Sequence, residues 1–211
     1  MAPGAHRQRG RGPVASPGLT TLADLPPLLR EDPVVSRLLG RRGATLAVSE
    51  AARAFTLAGL AHVSSRRPLV VAVPTSTAAE HLARDLGTWL GDPVDAPAGR
   101  LPAVELFPAW ETLPFERVSP GVETMGRRLR TRGRVAHPDP AERPAVVVVA
   151  VRALVQRLAP DVVGVEPLTL RPGEQRDRDE LVATLVGAGY RREEQVEHRG
   201  EVAVRGSIVD V

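Results

Sequence analysis

The stretch "AVVVVAV" (Ala145–Val151) decides the fold, because it is the longest uninterrupted apolar run in the chain. Its length suits a strand and falls far short of the roughly 20 apolar residues that cross a membrane as a helix. A strand that is apolar at every position is typical of a parallel sheet whose two faces are covered by helices. The stretch therefore predicts a buried strand of an α/β fold.

Further strands and helices alternate with this stretch along the chain. Three more strands are predicted, at "ATLAVS" (44–49), "PLVVAVP" (68–74) and "AVELFP" (103–108). Helices are predicted at 50–65, 76–91, 121–136 and 152–160, with Ser76 as the N-cap of the second. This alternation predicts a parallel sheet with helices on its faces. The wholly apolar strand at 68–74 is expected to be covered on both sides.

The composition excludes several classes of protein. A length of 211 residues predicts one or two domains. The absence of cysteine excludes disulfides and thiolate metal sites. All 28 basic residues are arginine, and with 25 acidic residues the net charge is only +3, so the protein is nearly neutral with local patches. No stretch resembles a signal peptide or a membrane span, and we expect a cytoplasmic protein with no membrane partner.

The chain divides into three predicted parts. Residues 1–18 are rich in Gly and Pro and predict a disordered tail. Residues 19–160 hold the strand–helix alternation, opened by two short helices that break at Pro26–Pro27 and Pro33. Residues 161–211 predict a second unit with a strand at 166–171, a helix at 177–188 ended by Gly189, and a β-hairpin that turns at 198–201. Because Val211 falls within a strand pattern, this unit is expected to be truncated.

The first strand, loop and helix of a parallel sheet can form a nucleotide site, but here the chemistry is missing. A Walker loop needs glycines that let backbone N–H groups close on phosphate, a Lys, and a Ser or Thr for magnesium. The corresponding residues are Ser49, Glu50, Arg53 and Ala54. Arg53 stands in place of the Lys, Ala54 in place of the Ser or Thr, and Glu50 would repel phosphate. We therefore predict a degenerate nucleotide site, with no cofactor and no ATP hydrolysis in this segment.

Three motifs resemble the transcription-repair coupling factors, the Mfd family, whose N-terminal region is similar to the excision-repair helicase UvrB. They are "FPAWETLPFERVSPGVETMGRRL" (107–129), "VVVVAVRALVQRLAP" (146–160) and "GYRREEQVEHRGEVAVRGSIVDV" (189–211). The resemblance covers residues 20–211. It implies a Rossmann-like, P-loop-type half-domain with a degenerate nucleotide site, followed by the start of an inserted α/β domain of the UvrB interaction type.

The resemblance also implies partners. In that family the inserted domain binds UvrA, the damage-recognition ATPase. Arg192 and Arg205 match arginines of the UvrB motif, Ala203 stands where UvrB has another arginine, and Arg191 and Glu201 are neighbours expected to contribute. The mixture of Arg and Glu in this region suits a protein partner better than DNA, whose phosphates the carboxylates would repel.

The full-length family protein is an ATP-dependent DNA translocase. The resemblance therefore places ATP, magnesium, RNA polymerase and DNA binding in regions downstream of this segment. Two alternatives remain from the residues alone: a UvrB-type helicase fragment, and a passive DNA-binding module. The absence of a Walker Lys argues against the first.

An aromatic loop begins at the end of the third predicted strand, and a basic run lies within the third predicted helix. Phe107, Trp110 and Phe115 are expected to pack a proline-broken loop against the carboxyl edge of the sheet, with nucleic-acid or partner contact as the alternative. The densest basic run comprises Arg127, Arg128, Arg130, Arg132 and Arg134. Helical spacing places the first, third and fifth of these on one face. A solvated face is expected, with DNA contact as the alternative.

Overall fold

A computed structural model describes residues 20–92, 101–112, 115–117, 119–157 and 168–211. The predicted tail and the first residues of the strand predicted at 166–171 lie outside these ranges. Short 3-10 turns at Leu22–Asp24 and Pro26–Glu31 and helix α1 (Pro33–Leu38) open the described chain. Their boundaries confirm the predicted breaks at the prolines, and Asp32 caps α1 by accepting from the amides of Val34 and Val35.

The predicted alternation of helices and strands follows. A 3-10 turn at Glu50–Ala52 leads into α2, and the later elements are listed here in chain order: α2 (Arg53–Val63), β1 (Leu69–Val73), α3 (Ser76–Leu90), β2 (Val104–Phe107), α4 (Val122–Ala136), β3 (Val146–Ala150) and α5 (Val151–Val155). Among the described residues, no helix combines the length and apolar content needed to span a bilayer.

The first sheet has the order β1-β3-β2, and both strand pairs are parallel. The strand β3 lies in the centre, where Val148 is in register with Val71 on one side and Leu106 on the other. All five residues of β3 are buried. The prediction of a buried strand at 145–151 and of a parallel sheet is therefore confirmed.

Helices α2 and α3 cover one face of this sheet. Ala58 of α2 and Leu86 of α3 are fully buried, and they pack in one cluster with Val146 and Val148 of β3. Small residues on α2 let that helix pack closely, while full burial of a leucine side chain contributes about 2 kcal/mol through the hydrophobic effect. Asp92, just after α3, accepts from the amides of Ala103 and Val104 at 2.8 and 3.0 Å and so fixes the start of β2.

Three local predictions are wrong. Residues 44–49 are not a strand: they pair with no strand of the described chain, and all but Leu46 and Val48 are exposed. The strand β1 is covered on one face only, since Val70 is 57% exposed at the sheet edge. The N-cap of α3 is Thr75, whose hydroxyl accepts from the amide of Ala78, so Ser76 is the first helical residue.

The helix α4 covers the other face of the sheet with its polar side. Its buried residues are Thr124, Arg128, Thr131 and Arg134. Two of them, Thr131 and Arg134, contact the carboxylate of Glu105 on β2, which is 0% exposed. Arg134 lies 2.8 Å and Arg130 lies 3.0 Å from the Glu105 carboxylate, and the Thr131 hydroxyl lies 3.4 Å away. The expected solvated arginine face is therefore wrong at Arg134, because a buried carboxylate requires paired and hydrogen-bonded neighbours.

The aromatic loop is ordered around a guanidinium group. Arg128 lies 4.2 Å from the ring centroids of both Phe107 and Trp110 and donates to the carbonyl of Pro108 at 2.6 Å. Stacking of a guanidinium on two rings is favourable for both charge and contact area. Desolvation lowers the pKa of Arg128. Gln156 joins the loop to the residues after α5, accepting from the amide of Trp110 at 2.8 Å.

Packing of the loop is thus confirmed for Phe107 and Trp110 but wrong for Phe115, which is 97% exposed. The two rings that pack do so because Arg128 lies between them. Phe115 has no such neighbour among the described residues.

Glu105→Gln is expected to destabilise the protein by about 3 kcal/mol, because it leaves the buried guanidinium of Arg134 without its counter-charge. Urea unfolding followed by circular dichroism measures this change. Glu123→Gln is the control, since it removes a carboxylate from an exposed pair with Arg127 on the same helix and should change stability by less than about 1 kcal/mol. Equal shifts in the two variants would contradict a structural role for Glu105.

Candidate partner-binding site

The second unit begins with helix α6 (Arg178–Gly187). The Asp177 carboxylate caps it by accepting from the amides of Asp179 and Glu180, each at 2.9 Å. Gly189 follows the helix with a φ of 99°, a left-handed conformation that glycine adopts without strain. The helix prediction and its end at Gly189 are confirmed, and the chain leaves α6 directly toward the next strand.

A three-stranded sheet follows, with the order β4-β5-β6. Its strands are β4 (Arg191–Arg192), β5 (Glu201–Arg205) and β6 (Ile208–Asp210). The strand β4 runs parallel to β5, whereas β5 and β6 are antiparallel and close a two-residue turn at Gly206 and Ser207. The second unit is therefore a helix beside a small mixed sheet.

Two sequence predictions for this unit are wrong. The hairpin turn lies at Gly206–Ser207 and not at 198–201, because Arg205 pairs with Ile208 across a Gly-Ser dipeptide, and Gly206 has a φ of 60°. A Gly-Ser dipeptide between two strands is a recognised hairpin signal. The described residues of the strand predicted at 166–171, which begin at 168, form no strand.

Glu201 holds the segment between β4 and β5 in place. Its side chain is 8% exposed and accepts from the amides of Glu197 and His198, each at 2.9 Å. The Arg191 guanidinium lies 3.2 Å and the His198 ring 3.6 Å from the same carboxylate. The two amide donors, with smaller contributions from His198 and Arg191, lower the pKa of Glu201. Glu201 therefore stabilises the surface that Arg191 occupies.

Arg192 and Arg205 lie on opposite faces of the small sheet. Arg192 is in register with Val202, and Arg191 with Glu201. Because alternate residues of a strand point to opposite faces, Arg205 shares the face of Glu201 and Arg191, while Arg192 shares the face of Val202. Both arginines are exposed. Within the described chain, neither makes an ion pair or a side-chain hydrogen bond, so their guanidinium donors are available to a partner.

The turn that carries Arg205 is tied to α6. Arg178 donates to the carbonyl of Gly206 at 2.8 Å and pairs with Asp179. No sequence signal reveals this contact, because it joins residues 28 positions apart.

Comparison with known proteins matches both units of the chain. The profile of the UvrB interaction domain family matches residues 168–211. The transcription-repair-coupling factor of Mycobacterium bovis is 40% identical over 208 residues, which are 95% of this chain and 16% of that protein. The same factor from Myxococcus xanthus is 37% identical over 174 residues, 82% of this chain and 14% of that protein. In Escherichia coli it is 35% identical over 103 residues, 48% of this chain and 9% of that protein.

The chain resembles the N-terminal region of the transcription-repair coupling factors. The match confirms the resemblance that the three motifs indicate, and its family profile covers β4, β5, β6 and α6. The chain spans 16% or less of the length of the three relatives named above. Their activities as whole proteins therefore involve much that this chain does not contain.

The four residues of the predicted nucleotide site lie close together in the sequence, around the start of α2. Ser49 precedes the 3-10 turn without a side-chain cap bond, and Glu50 lies exposed within it. Arg53 begins α2 and is exposed, while Ala54 is 6% exposed in the hydrophobic core. Since no strand precedes the turn, the geometry of a Walker loop is not seen here, and a degenerate nucleotide site stays a prediction.

Protection of the amides of Glu197 and His198 is expected to fall in acid. Because the folded pKa of Glu201 is lowered from an ordinary value of about 4.5, its stabilising effect is complete above that value. It is lost as the pH falls through the lowered pKa. Hydrogen exchange measured by NMR from about pH 6 to about pH 3 should show this loss relative to the amides of β3.

Glu201→Gln should remove that pH dependence and lower protection already at pH 6, whereas Glu193→Gln, at an exposed position nearby, should leave it intact. Unchanged protection of both amides across the range in the wild type would contradict the role assigned to Glu201.

Proposed function

We propose that this chain is the UvrA-recruiting module of a transcription-repair coupling factor, acting in transcription-coupled nucleotide excision repair. The observation that carries the proposal is the match of residues 168–211 to the UvrB interaction domain family. In this chain those residues form a unit that exposes Arg192 and Arg205, the two arginines that the sequence resemblance aligns with the UvrB motif.

The chemistry of this surface supports a protein partner. A guanidinium group offers several donors in a fixed plane and suits carboxylates on an opposing protein surface. Neither Arg192 nor Arg205 is engaged by an acidic side chain of the described residues, so neither must break an ion pair on binding. The exposed acidic side chains of Glu193, Glu194 and Glu197 lie close by, and such charges disfavour a phosphate backbone.

Catalysis is not proposed for this segment. The chain contains no Lys, and Glu50 and Ala54 are unsuited to phosphate and magnesium. ATP, magnesium, RNA polymerase and DNA binding are proposed for other regions of the full-length protein, and the setting is proposed to be the cytoplasm.

The two alternative functions receive less support. A UvrB-type helicase would need the phosphate chemistry that Ser49, Glu50, Arg53 and Ala54 lack. The hypothesis of passive DNA binding through α4 loses support because Arg128 and Arg134 are buried and cannot reach a phosphate.

Arg192→Ala and Arg205→Ala are each expected to weaken binding of purified UvrA by at least about tenfold, the loss typical of an arginine central to an interface. Surface plasmon resonance with immobilised UvrA measures the affinities. Arg84→Ala is the matched control, because Arg84 is an exposed arginine on α3 in the first unit. The affinity of this variant for UvrA should equal that of the wild type. Wild-type affinity in both folded variants would refute the proposed site.

A further inference from the structure

The helix α4 buries its polar face and exposes its apolar face, the reverse of the usual pattern. An amphipathic helix normally packs its apolar stripe on the core. Here polar residues of α4 are buried instead: Thr131 contacts Glu105, Thr124 contacts Glu111, and Arg128 contacts the aromatic loop. The apolar stripe of α4 consists of Val122, Met125 and Leu129 at helical spacing and faces away from the sheet. Val122 is 47% and Leu129 is 46% exposed.

This stripe forms one wall of a groove between the two units. The opposite wall comes from residues 188–200 and includes Tyr190 and Val196, and the volume of the groove is about 940 Å³. The turn at Gly200 lies close to the α4 wall, since a Cβ atom on Gly200 would come within 3.2 Å of a Val122 methyl group. A volume of this size holds several side chains of a bound ligand.

The charged residues that line the groove are predominantly basic. They are Arg127, Arg130, Arg191 and Arg199, with Glu197 as the one acidic residue among the lining side chains of the described chain. Arg127, Arg130 and Arg191 each pair with a carboxylate through one terminal nitrogen and retain other donors. Arg199 is exposed and has no ion pair within the described residues.

The geometry points to a docking groove for an acidic peptide segment of a partner protein, with an apolar side chain as its anchor. The stripe of α4 would bury the anchor, and the arginines would pair with flanking carboxylates. Nucleic acid fits less well, because the wall on α4 is aliphatic, Tyr190 is the one aromatic side chain that lines the groove in the described chain, and Glu197 would repel phosphate. Arg191 lines the groove, but Arg192 and Arg205, which carry the proposed UvrA site, lie outside it, so variants of Arg199 and of Arg192 test the two proposals separately.

A selection experiment tests the inference without a known ligand. A random 12-residue peptide library displayed on phage is selected on the 211-residue chain. It is counter-selected on Leu129→Asp and, separately, on Arg199→Glu, which lies on an exposed turn and should leave folding intact. Arg84→Glu on α3 is the control for a reversed charge elsewhere. Circular dichroism confirms the fold of each variant.

The expected result is a set of peptides that combine Asp or Glu with Leu, Ile or Phe. They should bind the wild type and the Arg84→Glu variant alike, and should bind the folded groove variants at least about tenfold more weakly. Three results would overturn the inference: no enrichment above the counter-selected variants, enriched peptides without acidic residues, or tighter binding of a single-stranded oligonucleotide that displaces the peptides.

Discussion

The buried carboxylate of Glu105 is the constraint on which the rest of the first unit depends. A carboxylate at 0% exposure in a strand of a hydrophobic sheet must be surrounded by donors, and α4 supplies them from Arg130, Thr131 and Arg134. The same orientation of α4 places Arg128 between Phe107 and Trp110 and so orders the loop beyond β2. It also leaves the apolar side of α4 facing outward, where it becomes a wall of the groove. One acidic residue thereby connects the sheet, the aromatic loop and a candidate interaction surface.

The strands and helices of the sheet could be predicted from the sequence because their signals are local. The apolar run in β3 and the spacing of apolar residues in α3 each indicate their own structure. The sequence-based predictions are wrong where the local structure depends on a residue far away in the sequence. Whether 44–49 pairs as a strand depends on a partner strand and not on its own composition. Phe107 and Trp110 pack while Phe115 does not, and only the position of Arg128 on α4 distinguishes them.

In the candidate site, too, some features could be predicted from the sequence and others could not. Arg192 and Arg205 could be selected from the sequence because they match arginines of the UvrB motif in the resemblance, and their role in binding stays a proposal. The contacts that order the surrounding segments involve backbone atoms, which carry no residue-specific signal. Glu201 accepts from the amides of Glu197 and His198, and Arg178 donates to the carbonyl of Gly206. The placement of Arg192 and Arg205 on opposite faces of β4 and β5 also follows from the register and not from the sequence. An interface that uses both must therefore wrap the edge of the small sheet or approach its end.

The proposed UvrA-binding surface is the unit formed by α6, β4, β5 and β6. Hydrogen–deuterium exchange with mass spectrometry on the chain, alone and with an excess of purified UvrA, maps every segment in one experiment. We expect slower exchange in 191–192 and 201–208 when UvrA is present, with α2, α3 and β3 unchanged. Protection confined to residues 49–63, or no protection anywhere in a folded chain, would contradict this proposal.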